Sequence, residues 1–94
     1  MPITFYIPGY LRTFTAGLSQ VDLEGEPATV GDALESLWRH YPGVRDRVCD
    51  EQGKVRQHVN VFVGSESIRF TGGLLTPLEH GSEISIVPAV SGGG

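Results

Sequence analysis

Thiols, lysines and long apolar runs are scarce in this sequence, and each scarcity closes off a class of function. Cys49 is the only cysteine, so the chain forms no internal disulfide, and no neighbouring histidine or Cys-x-x-Cys partner marks it as an activated thiolate. Its expected role is that of a small buried hydrophobe. No apolar run approaches the roughly 20 residues that cross a bilayer. The N-terminus also lacks the basic stretch and apolar segment of a secretory signal. A cytoplasmic location with no membrane partner is expected. Lys54 is the only lysine, the arginines are scattered, and the net charge is −4 with a pI near 5.2. Non-specific nucleic-acid binding needs clustered cations, so no nucleic-acid partner is expected.

Catalytic constellations are missing as well. His40, His58 and His80 stand 18 and 22 residues apart, with no cysteine or carboxylate at a recognised ligand spacing, so no metal is expected. Gly72-Gly73 lacks the Gly-Lys-Ser/Thr continuation of a phosphate loop and reads as a turn, with one glycine at positive φ. No Ser/His/Asp set or paired carboxylates can be assembled. With 94 residues the chain suits one domain with a single core and is small for a deep substrate pocket. It reads as a non-enzyme with no bound cofactor.

What is present is a pattern of short elements. Ile3, Phe5 and Ile7 alternate with polar or aromatic neighbours, which predicts a strand ended by Pro8-Gly9. A polar loop is expected from Arg12 to Gly17. Leu18, Val21 and Leu23 then suggest a second strand, hairpin-paired with the first and broken at Gly25-Glu26-Pro27. Thr29 reads as a helix N-cap, with Asp32 placed to complement the positive end of the helix dipole. Val30, Ala33, Leu34, Leu37 and Tyr41 recur at helical spacing and form one apolar stripe, with Trp38 at its rim, until Pro42-Gly43. Val44 to Lys54 suggests a short helical turn and a loop, with turn chemistry at Asp50 to Gly53. Val59, Val61 and Val63 predict a strand with a β-branched inner face. Glu66 to Phe70 predicts a short strand, and Glu83 to Val87 a final one with Ile84 and Ile86 facing in.

These elements predict an α+β domain: one mixed sheet of four to five strands with one main helix across one face. The inward residues suffice for one core. On the opposite face Tyr6, Phe62 and Val87 project outward, and if neighbours they would form an exposed apolar docking surface.

The domain is expected over residues 1–88, leaving residues 89–94 as a flexible C-terminal glycine tail that ends in Gly92, Gly93 and Gly94. Glycine loses more conformational freedom on ordering than any other residue, so such a tail orders only when a partner holds it. It is either a frayed end or a terminal carboxylate carried on a lead thin enough to enter another protein's active site.

From Val59 onward the sequence is more specific: Val59-Asn60-Val61-Phe62-Val63, then Ile68-Arg69-Phe70-Thr71-Gly72-Gly73-Leu74, then Thr76-Pro77-Leu78, then Gly81-Ser82-Glu83-Ile84-Ser85-Ile86-Val87-Pro88-Ala89-Val90 and glycines. This resembles the ubiquitin-like sulfur-carrier proteins of prokaryotes. That family contains the small subunit of molybdopterin synthase, the thiamin sulfur carrier and the cysteine-biosynthesis sulfur carrier. Length and the Ile68 to Leu74 segment look most like the cysteine-biosynthesis type.

The resemblance implies a β-grasp fold with the last strand central and parallel to the first. It also implies an adenylating partner of the ubiquitin-activating kind, which uses ATP to activate the C-terminal glycine carboxylate. A sulfur donor then converts that group to a thiocarboxylate, which attacks an activated serine on a cysteine-synthase-like acceptor. Family members usually end in Ala-Gly-Gly, whereas this chain ends Ser91-Gly92-Gly93-Gly94. The implied reactive residue is therefore Gly94, or Gly93 if a tail-trimming metalloprotease removes Gly94. Delivery to molybdopterin, another metabolite or tRNA, and ubiquitin-like attachment to protein lysines, are the alternatives.

Overall fold

The computed structural model describes residues 2–88; the tail expected at 89–94 lies outside them. Its strands are β1 (Ile3–Tyr6), β2 (Gln20–Leu23), β3 (Val59–Val63), β4 (Glu66–Ser67) and β5 (Glu83–Pro88). Its helices are α1 (Val30–His40) and α2 (Pro42–Val48). The five strands form one sheet in the order β2-β1-β5-β3-β4. β5 is central, parallel to β1 and antiparallel to β3. β1 and β2 are the expected antiparallel hairpin.

Period-2 alternation explains the inner face. Ile3, Phe5, Ile7, Val21, Val59, Val61, Ile84 and Ile86 are all buried there, while Leu23 and Val63 pack at its margin. Helix α1 closes this face with Val30, Ala33, Leu34 and Leu37. Its start is fixed locally, since the Thr29 hydroxyl accepts the Asp32 N–H at 3.2 Å and satisfies one of the orphan donors of the first turn.

Four expectations are corrected. The polar loop at Arg12 to Gly17 belongs largely to a 3-10 helix, Gly9–Thr15, which buries Leu11 and Thr15. The Thr15 hydroxyl donates to the Leu18 carbonyl at 2.9 Å, which lets a polar residue sit in the core without penalty. Pro42 ends α1 but also begins α2, as the first residue of a helix tolerates a missing N–H. The single helical turn expected after Val44 is thus a seven-residue helix that buries Val44 and Val48 and packs on α1 and the Gly9–Thr15 turn, while α1 remains the main helix across the sheet. The bare α-carbon of Gly43 allows a close approach, because a β-carbon there would lie 2.8 Å from the Phe14 ring. Finally, the strand expected over Glu66 to Phe70 survives only at Glu66–Ser67. The Ser67 hydroxyl accepts the Arg69 N–H and turns the chain into a 3-10 helix, Ile68–Phe70, with Ile68 buried.

Candidate functional site

The expected docking residues lie on the sheet face away from the helices. Tyr6 pairs with Ser85, and Ser85 pairs with Phe62, so Tyr6 and Phe62 share one row across three strands with a small serine between them. Adjacent strands are about 4.8 Å apart, which sets the two backbones roughly 10 Å from each other. Val87 lies two residues further along β5, opposite Asn60, and so on the same face. Tyr6 is 37% and Val87 40% exposed, while Phe62 is half-buried. The three share a face, and Phe62 offers less surface than its outward position alone suggests.

Acidic groups border this row. The Tyr6 hydroxyl donates to Glu83 Oε2 at 2.8 Å, and that bond, followed by a small burial contribution, pushes the phenol pKa above its ordinary value. The bond holds the ring tip over β5. Thr4 donates to Asp22 Oδ1 at 2.7 Å on the same face. A cavity of about 440 Å³ opens where β5 ends, lined by Tyr6, Pro8, Arg12, Gln20, Val87 and Pro88 among others. Arg12 was not singled out by sequence reasoning. Its Nε donates to the Ile7 carbonyl at 3.2 Å, which places the guanidinium beside the base of the tail. No periodicity could signal this, because the position depends on the 3-10 turn.

The remaining reactive groups are occupied structurally. Cys49 is buried, and burial raises its thiol pKa against weaker opposing pulls from Arg45 and Arg56. His40 Nδ1 lies 2.9 Å from the Ser36 carbonyl, and His80 faces Glu26 at 3.5 Å. Asp50 Oδ1 accepts the N–H groups of Gln52 and Lys54 and shapes the turn read from the sequence. Its bond from the Lys54 amide is the main reason its carboxyl pKa is lowered. Among the described residues no group of three His, Cys, Asp or Glu side chains could hold a metal ion, and no helix is long and apolar enough to cross a membrane. Gly92, Gly93 and Gly94 lie outside the described residues.

Comparison with known proteins draws on the whole chain. The ThiS family pattern matches residues 5–93. The sulfur carrier protein CysO of Mycobacterium tuberculosis is 38% identical over 95 residues, covering 99% of this chain and 100% of that protein. Its crystal structure superimposes with a TM-score of 0.85, covering 94% of this chain and 99% of that one. A chain in the crystal structure of the Amycolatopsis orientalis BexX/CysO complex gives a TM-score of 0.85 at 36% identity, covering 97% and 99%. Small archaeal modifier protein 1 of Haloferax volcanii is 36% identical over 74 residues, 79% of either chain. Fold and sequence agree over nearly the full length, and the chain belongs to the ThiS family of ubiquitin-like β-grasp proteins.

Proposed function

We propose that this protein is a cytoplasmic sulfur carrier whose C-terminal glycine is activated by a partner, and that its sulfur goes to cysteine biosynthesis. The observation that carries the reading is the full-length likeness to CysO sulfur carrier proteins, joined to a glycine-rich tail that follows the central strand. In the first step a carboxylate oxygen of the terminal glycine attacks the α-phosphorus of ATP and pyrophosphate leaves. A hydrosulfide equivalent then attacks the acyl carbon, AMP departs with the bonding electrons, and a proton is lost as the thiocarboxylate forms. The carrier supplies no acid, base or metal, and the adenylating partner holds the ATP. Six residues from Ala89 to Gly94 extend about 20 Å at ~3.3–3.6 Å each, enough to reach a buried nucleotide while the domain stays outside.

Ordering that tail costs about 1–2 kcal/mol per residue, so contacts of the folded body must offset several kcal/mol. The row of Tyr6, Phe62 and Val87 is the surface we assign to this task. Charge around it, from Glu83 and Asp22, suits a basic rim on the partner and speeds encounter. Exchange of labelled pyrophosphate into ATP, catalysed by the organism's adenylating protein, tests both assignments. Wild-type carrier must support exchange, and a wild-type chain that does not would refute the proposal. Phe62→Asp is expected to raise the carrier concentration for half-maximal exchange about tenfold, equivalent to about 1.4 kcal/mol, with an unchanged melting curve. An unchanged half-maximal concentration would assign docking to a different surface.

Loss of Gly94 alone separates the two candidate termini. The reactive residue is Gly94, or Gly93 if a metalloprotease first removes Gly94, and the intact mass of the cellular protein distinguishes the two. A modifier role, favoured by the likeness to small archaeal modifier protein 1, would instead give tail-dependent conjugates that survive reducing, denaturing electrophoresis.

A further inference from the structure

The connection between β1 and β2 carries a cation to the place where the tail begins. β1 runs parallel to β5, so the chain leaves β1 at the same end of the sheet at which β5 finishes. There the 3-10 helix Gly9–Thr15 turns Arg12 back toward the strands, and Arg12 Nε donates to the Ile7 carbonyl at 3.2 Å. Ile7 donates its own N–H to the Ser19 carbonyl at 2.9 Å, which closes the connection against the sheet. Arg12 thus lines the cavity of about 440 Å³ together with Val87 and Pro88, the last two described residues before the tail.

The anchored guanidinium is selective in what it can bind. Its Nε is committed to Ile7, and among the described residues neither Nη1 nor Nη2 has a hydrogen-bond or ion-pair partner, while the side chain as a whole is exposed. Two parallel N–H donors at fixed spacing match the paired oxygens of a carboxylate or a phosphate. Arg12 is also the only charged residue that lines this cavity. Asp22 and Glu83 lie two residues further from this end, along β2 and β5, and each accepts a hydroxyl, from Thr4 and Tyr6 respectively. Apolar surface gathers around the cation. Tyr6 and Val87 on the strands, with Tyr10 and Leu18 in the β1–β2 connection, are four of the six exposed large hydrophobics among the described residues, so the tail end offers contact area as well as charge.

Chain length and continuity identify the occupant. Six residues follow Pro88 and span about 20 Å when extended. A protein that takes the terminal glycine into a buried nucleotide site draws this lead in and brings its own surface against the residues around Pro88. The nucleotide phosphates then lie at the far end of the lead, beyond the reach of an arginine held at its base. The group that meets Arg12 is therefore a carboxylate on the surface of the receiving protein. The cavity shares Tyr6 and Val87 with the row assigned above to the adenylating protein, so one partner covers both.

We infer that Arg12 is a docking residue for the adenylating protein, and that an aspartate or glutamate of that partner enters the cavity at the base of the tail and accepts from both Nη donors. This rests on the carrier reading above. Tyr6 and Val87 wall the pair on the sheet side. With Asp22 and Glu83 facing a basic rim and Arg12 facing an acid, the interface is two-signed, and the wrong orientation sets like charges together. The lead consequently enters the partner at one angle.

The test is pyrophosphate exchange with Arg12→Gln, which removes the charge, and Arg12→Lys, which keeps the charge without the fork, after thermal melting of each. At about 0.1 M salt Arg12→Gln is expected to raise the half-maximal carrier concentration about tenfold with the maximal rate retained, and Arg12→Lys is expected to fall between it and wild type. The gap between Arg12→Gln and wild type should narrow toward about 1 M salt, where the screening length drops from about 10 Å to about 3 Å. Arg39→Gln removes the same charge from exposed α1 surface and should leave the half-maximal concentration unchanged. An unchanged value for Arg12→Gln, a gap indifferent to salt, Arg12→Lys no better than Arg12→Gln, or an equal rise with Arg39→Gln each overturns the inference. An unchanged value joined to a higher thiocarboxylate fraction in cells would give Arg12 to the sulfur acceptor and overturns it too. If wild-type carrier supports no exchange, the carrier reading itself fails, which is a different result from any of these.

Discussion

Truncation after Gly92 is expected to abolish thiocarboxylate formation and to reduce pyrophosphate exchange to background, with the urea and thermal unfolding curves unchanged. The two removed residues span about 7 Å of extended chain. A reacting carboxylate withdrawn by that distance cannot reach the nucleotide, since even 1 Å of misplacement can cost about a hundredfold in rate. Stability is untouched because the buried core runs from Ile3 to Ile86. Mass spectrometry and exchange kinetics on the truncated chain check the result, and retained activity would mean that the tail is a passive end.

The second large effect concerns the frame that carries the tail. Phe5 is fully buried, in register with Ile84 on central β5 and with Val21 on β2. Replacing it by alanine removes a large side chain from the junction of three strands and α1, at an expected cost of about 3–5 kcal/mol. Small domains have about 5–15 kcal/mol in total. A fall in the urea midpoint of about 2 M or more is therefore expected, measured by circular dichroism. Tyr6→Ala, one residue along and on the opposite face, should move the midpoint far less. A reversed order would mean that β1 presents its other face to the core.

This contrast shows which parts of the fold the sequence made legible. Alternation at Ile3, Phe5 and Ile7, the valines of β3, and Ile84 with Ile86 all predict the observed inner face, because a strand one face of which is buried leaves no freedom of register. Thr29 and the stripe from Val30 to Leu37 marked α1 as clearly, since the cap and the 3.6-residue period agree. The 3-10 segments were not legible. Their three-residue period is too short to repeat, and Glu66, Ile68 and Phe70 mimic strand alternation until the Ser67 hydroxyl turns the backbone. Leu11 was hidden in the same way among Arg12, Thr13 and other polar neighbours. These segments position Arg12, Phe70 and Leu75, so where those side chains lie emerges only from three-dimensional placement.

Tyr6, Phe62 and Val87 were readable as outward residues, but their adjacency depends on the pairing of Ser85 with both neighbours. That pairing follows from β5 lying at the centre of the sheet, a consequence of topology rather than of any local pattern. The tail was legible as composition, three glycines after a strand, and its chemistry rests on family likeness.

Intact mass measurement of the protein taken directly from its own cells, under conditions that limit hydrolysis and oxidation of the thiocarboxylate, tests the central claim most directly. The account predicts a species heavier by one sulfur-for-oxygen exchange, localised by fragmentation to the terminal glycine, at Gly93 or Gly94. A population that carries only an ordinary carboxylate there, under conditions that demand sulfur delivery, would contradict it.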